Sequence, residues 1–136
     1  MITAIDSNVL LDVLGADPTF GPASANALHS AVQAGRLVAC EVVWAELAAA
    51  FSNSEAAREA LGRFEVEFSA LTAEAALEAG MACRLYRRHG GARTRVTADF
   101  LIGAHAMHQA DRLLSRDRGF YRSYFKRLSV LDPSTG

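Results

Sequence analysis

The sequence predicts an α/β protein in which a central parallel sheet of about five strands lies between two layers of helices. Short apolar runs typical of buried strands recur along the chain, and helical patterns separate them. Strands separated by helices need crossover connections, which produce parallel sheets covered on both faces. With 136 residues, 51% of them hydrophobic, the chain is long enough for one core, and we expect a single domain over residues 1–136.

The predicted elements follow one another in the order β-α-α-β-α-α-β-α-α-β-α-β. Strand candidates are residues 2–5, 36–40, 66–71, 112–115 and 128–131. The longer helices are expected over 22–34, 41–51, 54–65, from 72 to the glycines at 90 and 91, and 97–110. Pro22 near one helix start and Gly35 after its end stand where helices favour these residues. Leu77, Met81 and Leu85 recur one turn apart, the spacing of an apolar helix face.

The net charge of −1 conceals an asymmetry between the two parts of the chain. Residues 1–83 hold eleven acidic and three basic side chains, whereas residues 84–136 hold four and eleven. A local basic field attracts phosphates even when the total charge is near zero, so the asymmetry indicates a polyanionic partner. The alternative is that Arg84, Arg87, Arg88 and His89 merely complement the carboxyl end of a helix.

Cys40 and Cys83 lack the close pairing of zinc and redox motifs, so we expect buried free thiols, in agreement with a reducing cytoplasm. No apolar stretch reaches the length of a membrane span, and residues 1–6 show no leader pattern. We therefore expect a soluble, unprocessed, cytoplasmic protein that does not cross a membrane.

Asp6 and Asp117 each stand where an apolar strand candidate runs into a polar turn. In a parallel sheet this point is the carboxyl end of a strand, where ligand sites collect. If the two strands are neighbours, both carboxylates face one crevice, and their repulsion is costly unless a cation or a proton lies between them. Ser115 is placed to donate a hydrogen bond there. The alternative for Asp6 is that it only caps the next helix.

Glu46 is the only charged residue between Val42 and Ser52. A helix that is apolar around most of its circumference is normally buried, although Glu46 could instead lie on a narrow solvent-facing strip. Asp99 lies in the first turn of its helix, where the helix dipole stabilises a negative charge with or without a function. Acidic oxygens at a sheet edge, beside a basic half, suit Mg²⁺ or Mn²⁺, which promote phosphodiester hydrolysis without a nucleophilic side chain.

Four segments of the chain resemble, in order, the acidic motifs of PIN domains. They are Ile-Asp-Ser-Asn-Val-Leu-Leu at 5–11, Trp-Ala-Glu-Leu at 44–47, Thr-Ala-Asp-Phe-Leu-Ile-Gly-Ala-His-Ala at 97–106 and Leu-Leu-Ser-Arg-Asp-Arg-Gly-Phe-Tyr at 113–121. The match covers essentially the whole chain. Within the family the chain is most similar to the VapC toxins of bacterial toxin–antitoxin pairs.

The resemblance implies a three-layer α/β/α sandwich in which the first and fourth strands are adjacent. It also implies a Mg²⁺-dependent endoribonuclease, with metal held chiefly by Asp6 and Asp99 and with help from Asp117. Glu46 would order the attacking water, which completes a catalytic set of four carboxylates. Asn8 and Ser115 would be supporting polar groups.

The family further implies a homodimer and a cognate VapB-like antitoxin whose tail lies across the site. The Ala-rich helices at 22–34 and 54–65 are candidates for such a groove, although core packing explains their small residues equally well. Among the basic residues, Arg93, Arg95, Arg116 and Arg118 are plausible RNA phosphate contacts, which position RNA without reading its sequence.

Two alternatives lie close to this interpretation: a PIN-like module that binds RNA without cutting it, and an RNA-processing nuclease that is not a toxin. More distant classes fit poorly. A phosphoacceptor receiver domain would need paired acids after the first strand and a lysine after the last, but Asp6 is single and Lys126 precedes the last strand. A nucleotide-binding module would need a phosphate loop, which is absent from the sequence. A zinc hydrolase would need a third ligand beside His105 and His108.

Overall fold

The computed structural model describes residues 1–91 and 97–134, and that part of the chain contains five strands and seven helices in the predicted order. The strands are β1 (Ile2–Ile5), β2 (Arg36–Ala39), β3 (Val66–Phe68), β4 (Arg112–Leu114) and β5 (Val130–Leu131). The helices are α1 (Ser7–Leu14), α2 (Gly21–Ala34), α3 (Glu41–Ala48), α4 (Ser54–Arg63), α5 (Ala73–Arg88), α6 (Thr97–Gln109) and α7 (Arg118–Tyr124).

The strands form one sheet, all parallel, in the order β3-β2-β1-β4-β5. The chain moves from β1 outward to β3 and then returns to the other side of β1 with β4, so the direction of winding reverses between β1 and β4. At such a reversal the connections leave in opposite directions and open a crevice at the carboxyl ends of the strands. The predicted parallel sheet, its flanking helices and the adjacency of its first and fourth strands are confirmed.

Local sequence explains where several helices begin and end. Pro22 lies in the first turn of α2, and Gly35 follows the last residue of that helix. The side chain of Asn53 caps α4 by accepting a hydrogen bond from the amide of Ala56, and that of Thr72 caps α5 through the amide of Ala75. These caps satisfy amides that helix geometry leaves without intrahelical partners.

A cluster of four aromatic rings joins α5, α6 and α7. Tyr86, Phe100, Phe120 and Tyr124 pack edge-on or tilted, and the rings of Phe100 and Phe120 are 5.1 Å apart. Such pairs stabilise a core beyond their buried area, each by about 1 kcal/mol. The cluster fixes the start of α6 against α7, the two helices that carry or follow Asp99 and Asp117.

Some boundaries differ from the predicted ones because tertiary context ends an element that its composition would continue. Strand β3 stops at Phe68 rather than at 71, and α3 stops at Ala48 rather than at 51.

The large apolar side chains of α5 do not face the core. Its buried residues are Ala75, Ala79, Ala82 and Cys83, whereas Leu77, Met81 and Leu85 are exposed.

Both cysteines are buried free thiols, as predicted. In residues 1–91 and 97–134, no helix combines the length and the apolar character that a membrane crossing demands.

Candidate functional site

The carboxyl ends of β1 and β4 bring Asp6 and Ser115 side by side. Ile5 lies opposite Leu114 in the sheet, and the amide of Asp6 donates to the carbonyl of Leu114 at 3.0 Å. Asp6 is only 6% exposed and Ser115 is fully buried. A carboxylate is rarely found at this depth without partners, so its contacts indicate its role.

Three side chains donate hydrogen bonds to the same oxygen of Asp6, Oδ2. They are the hydroxyl of Ser115 at 2.8 Å, the hydroxyl of Tyr121 at 3.0 Å and the amide of Asn8 at 3.4 Å. The Asp6 side chain makes no capping hydrogen bond to α1, so the interpretation of Asp6 as a mere helix cap is wrong. No side chain in the described part of the protein donates to Oδ1, and the carboxylate also receives a hydrogen bond from the backbone amide of Ser7.

Burial, with a smaller contribution from the charge of Asp99, raises the pKa of Asp6 to about 6, although hydrogen bonds from Ser115, Tyr121 and the backbone amide of Ser7 oppose the effect. The pKa of Tyr121 is raised well above its ordinary value, first by burial and then by the negative charges of Asp6, Asp99 and Asp117. The negative charges of three of the four predicted carboxylates therefore all raise the pKa of one buried tyrosine.

Asp117 lies on the turn between β4 and α7. Its amide donates to the Ser115 hydroxyl at 3.0 Å, the same hydroxyl that bonds Asp6. Asp117 precedes α7 without making a side-chain capping hydrogen bond and is partly buried. Ser115 thus couples the positions of the two strand-end acids.

Glu46 reaches the site through Ser7. The Ser7 hydroxyl donates to Glu46 Oε1 at 2.6 Å, and Ser7 directly follows Asp6. Glu46 itself is exposed, and only Val43 and Leu47 of α3 are buried. The expectation of a buried α3 is therefore wrong, and the solvent-facing strip centred on Glu46 is the correct description of this helix.

Arg116 has internal partners that its place in a polar turn did not suggest. Its guanidinium donates to both oxygens of Asp12, at 2.6 and 3.0 Å, and lies 4.0 Å above the ring of Phe20. Asp12 is 5% exposed and also accepts from Ser24. This bidentate pair holds the turn that carries Asp117 against α1 and α2, so we assign Arg116 to holding that turn rather than to contacting phosphate.

The remaining predicted contacts are only partly described. Arg93 and Arg95 lie outside the described residues, and Arg118 lies partly buried at the start of α7. His105 is buried, with its ring nitrogen 3.0 Å from the Ser69 hydroxyl, while His108 pairs with Glu78. The two histidines therefore serve other contacts.

Sequence reasoning missed three residues of this site: Ser7, Asp12 and Tyr121. The signal for Tyr121 was its place in an aromatic-rich segment one turn after Asp117, because a tyrosine hydroxyl that becomes buried requires a polar partner. Asp12 follows Asn8 by one turn of α1, so both side chains face the β4–α7 turn. Nothing in the sequence alone identifies their partners.

No group of three or more His, Cys, Asp or Glu side chains is gathered closely enough to hold a metal ion in the described ranges. The oxygen chemistry nevertheless fits Mg²⁺ or Mn²⁺. Mg²⁺ is commonly held by one or two carboxylates and keeps several waters. Asp6 and Asp99, whose charge adds to burial in raising the pKa of Asp6, are the two carboxylates that would hold it.

Residues 3–126 match the PIN-domain family profile. The chain therefore belongs to the PIN-domain family. No curated protein sequence matches it significantly.

Solved structures with the same fold come from toxin–antitoxin complexes. A chain of VapBC2 from Rickettsia felis, bound to a promoter DNA fragment, matches with a TM-score of 0.74 at 20% identity, covering 97% of this chain and 98% of that one. A chain of VapBC-1 from nontypeable Haemophilus influenzae gives 0.73 at 19% identity, with 98% and 99% covered. A chain of DNA-bound VapBC from Salmonella typhimurium gives 0.70 at 15% identity, with 98% of each chain covered.

Proposed function

We propose that this PIN domain is a divalent-metal-dependent endoribonuclease and the toxin of a VapBC-type pair. The observation that carries the proposal is the crevice at the β1–β4 reversal, where the hydroxyl of Tyr121 donates to Asp6, and burial and the negative charges of Asp6, Asp99 and Asp117 all raise the pKa of Tyr121. Beyond burial, the negative charge of Asp99 raises the pKa of Asp6, and a bound cation would relieve this repulsion. Asp6 and Asp99 would be the chief metal ligands, with Asp117 assisting.

When bound, Mg²⁺ or Mn²⁺ would neutralise charge on the phosphate and lower the pKa of the attacking water. The chain's own residues orient the participants. Ser115, Tyr121 and Asn8 hold Asp6 by Oδ2 and so fix the orientation of the carboxylate, whose Oδ1 would bind the metal. Ser7 fixes Glu46 at the mouth, where an exposed carboxylate can order water and accept its proton.

RNA as the substrate is supported by the charge distribution. The part of the chain from residue 84 onward carries eleven basic and four acidic side chains, and it contributes Asp99 and Asp117. A strongly basic part of the chain attracts a polyanion such as RNA even when the total charge is near zero. A PIN domain that binds RNA without cutting it would share this charge pattern, so cleavage must be measured.

The test is a cleavage assay on a defined RNA with the purified chain in Mg²⁺, in EDTA and after Mg²⁺ is restored. Asp6→Asn should lose at least about a hundredfold in rate, because it removes charge at the reacting centre. Asp111→Asn is the matched control. Asp111 lies just before β4, at the amino-terminal ends of the strands, where it accepts a hydrogen bond from the amide of Ile2. Cleavage that persists in EDTA, or equal rates for the two variants, would overturn the proposal.

We propose that the antitoxin of this pair binds the PIN domain through a helix that lies along α2. A cavity of about 210 Å³ lies between α2 and the end of α4, lined by Leu28, Val32 and Phe64. A second, of about 340 Å³, lies between Val13 and Pro22, and exposed Ala25 borders both. Charged residues, Asp17, Arg63 and Glu65, also line these cavities, and a surface with both apolar and charged groups suits an amphipathic helix.

Ala25→Arg should weaken binding of the polypeptide encoded by an adjacent short reading frame, measured by calorimetry with purified components. Ala50→Arg is the control, because Ala50 is exposed on the segment after α3, away from the groove. Equal affinities for the two variants would place the antitoxin elsewhere.

A further inference from the structure

A cavity of about 410 Å³ opens between the second half of α5 and the start of α6. Its lining residues are Gly80, Cys83, Arg84, Arg87, Arg88 and Thr97. Half of them are arginines, and no acidic side chain in the described part of the chain lines the cavity. The mechanism proposed above uses none of these residues, so this arginine cavity is a strongly basic recess without an assigned role.

The three arginines lie side by side on one face of α5. Arg84 is followed by Arg87 and Arg88 at the spacings of three and four residues that bring helix side chains together. All three are exposed, and among the residues that the structure describes none of them forms an ion pair, whereas Arg36 and Arg116 each bond a carboxylate. Like charges at this spacing destabilise a helix, and a bound anion would relieve the repulsion.

The helix dipole explains only part of this arrangement. It stabilises positive charge within the last turn of a helix, which here holds Arg87 and Arg88 but not Arg84. Packing does not explain Gly80 either. Glycine inside a helix lowers stability, and a Cβ added at Gly80 would meet no atom within 4 Å apart from its chain neighbours and its own helix backbone. The glycine therefore keeps the cavity open rather than making room for the core.

We infer that the arginine cavity binds a backbone phosphate of the RNA substrate, close to but distinct from the phosphate that is cleaved. The inference rests on the proposed function, since it takes RNA as the substrate. Guanidinium groups donate paired hydrogen bonds whose geometry matches phosphate oxygens, and the hydroxyl of Thr97 is a further donor at the same cavity.

The position of the cavity relative to the crevice supports this assignment. Thr97 and Asp99 belong to the same first turn of α6, about 3 Å apart along the helix axis. The charge of Asp99 contributes, after burial, to the raised pKa values of Asp6 and Tyr121 in the crevice. An RNA strand anchored by the arginines therefore has a short path over the start of α6 to the proposed metal ligands.

The cavity differs chemically from the crevice. With no carboxylate among its described lining residues it is unsuited to Mg²⁺, so the phosphate bound there is not the one that reacts. Arginine contacts to a neighbouring phosphate are the same before and during the reaction, and such uniform binding lowers KM without raising kcat. We therefore expect the arginine cavity to position the RNA and not to accelerate the chemical step.

The first test places a negative charge in the cavity without removing an arginine. Gly80→Glu fits the open space, and in steady-state cleavage with Mg²⁺ it should raise KM at least about fivefold while kcat stays within about twofold. Gly80→Gln has nearly the same shape without the charge and should keep a KM near that of the wild type. Gly62→Glu is the matched control, because Gly62 lies inside α4 in equally open space.

The second test measures RNA binding without cleavage, by fluorescence anisotropy of a single-stranded RNA of about ten nucleotides in EDTA. Each lost phosphate contact reduces the slope of log Kd against log salt concentration by about 0.7 for a single strand. Arg84→Ala should show this reduced slope and a weaker affinity. Arg58→Ala makes the same change at an exposed position of α4 and should bind as the wild type does.

Several results would overturn the inference: no RNA binding by the wild type, equal KM values for Gly80→Glu and Gly62→Glu, or an unchanged salt slope in Arg84→Ala. If polyglutamate binds in place of RNA and loses affinity in Arg84→Ala, the cavity belongs to an acidic polypeptide instead. A wild type that shows the predicted binding differences but does not cut RNA would refute the nuclease and leave the cavity assigned to RNA. The two proposals therefore fail separately.

Discussion

Asp6 shows how the site sets the properties of a single carboxylate. Burial raises its pKa to about 6, while hydrogen bonds from Ser115 and Tyr121 favour the charged form. These donors do not fully offset the loss of hydration, so the ionised carboxylate destabilises the folded protein at neutral pH. A cation bound to the carboxylate would offset this cost, and a neutral side chain at position 6 would avoid it.

Asp6→Asn should therefore stabilise the metal-free protein at pH 7.5. A carboxyl group whose pKa is raised by folding contributes stability below its unfolded pKa of about 4, and this contribution is lost as the pH rises through about 6. The free energy of unfolding of the variant should exceed that of the wild type by about 2–3 kcal/mol at pH 7.5 and should match it near pH 4. Urea unfolding in EDTA across this range measures the difference, and a difference independent of pH would contradict the assignment.

Tyr121→Phe tests whether a residue outside the four acids positions one of them. The variant removes the hydroxyl that donates to Asp6 Oδ2 and keeps the buried ring. We expect cleavage to slow about tenfold and the Asp6 pKa to rise further, because a hydrogen bond to the charged form is lost. Tyr124→Phe is the control, since Tyr124 packs in the aromatic cluster. The Asp6 pKa is obtained from the pH dependence of the free energy of unfolding. If the two changes have equal effects on cleavage and on this pKa, the Tyr121 hydroxyl has no such role.

For individual residues, the sequence predicted where the acids of the site lie better than it predicted their hydrogen-bond partners. Strand-end placement identified Asp6 and Asp117, since the carboxyl end of a parallel strand is visible as an apolar run followed by a polar turn. Ser7 and Tyr121 were not predicted, because their bonds join residues 39 and 115 positions apart. Hydrophobic periodicity carries no information about such pairings.

Among the structural elements, the β4–α7 turn shows how helices α1 and α2 influence the site. Arg116 leaves this turn to bond Asp12 on α1, and Asp12 also accepts from Ser24 on α2. Ser115 and Asp117, on either side of Arg116, both belong to the crevice. The ion pair therefore fixes the turn in the orientation that brings Asp117 toward Asp6.

A double-mutant cycle of Asp12→Asn and Arg116→Met should give a coupling free energy of about 1–2 kcal/mol. The pair is bidentate and Asp12 is buried, but the Arg116 side chain is 28% exposed, which reduces the value expected for a fully buried pair. The Arg36–Glu67 pair is the control, because both of its side chains are at least half exposed and should show little coupling. Chemical denaturation supplies the four free energies, and similar couplings for both pairs would refute the role of Arg116.

Element boundaries were predicted where local chemistry determines them. Thr72 caps α5 and Pro22 lies in the first turn of α2, so these two helices begin close to the predicted positions, and α4 begins at Ser54 as expected. Strand β3 was predicted too long because only three of its residues pair with β2, and pairing depends on the neighbouring strand. The orientation of α5 was not recognised, since alanines rather than its leucines fill the narrow space against the core.

For the whole molecule, the sheet reversal and the charge asymmetry act together. The winding order places the crevice between β1 and β4, and the residues that build it come from both ends of the chain. The acidic first part contributes Asp6 and Glu46, while the basic second part contributes Asp99 and Asp117. The fold thereby brings acids from both parts of the chain to the β1–β4 reversal, and the basic residues of the second part favour a polyanionic partner.

The most direct test of this account is the binding of Mn²⁺ to the purified chain, followed by calorimetry or electron paramagnetic resonance. Asp99→Asn removes a predicted ligand from the first turn of α6 and should weaken binding at the crevice at least about tenfold, whereas Asp111→Asn should bind as the wild type does. If Asp99→Asn and Asp111→Asn bind Mn²⁺ as tightly as the wild type, the carboxylates of the crevice do not form the metal site.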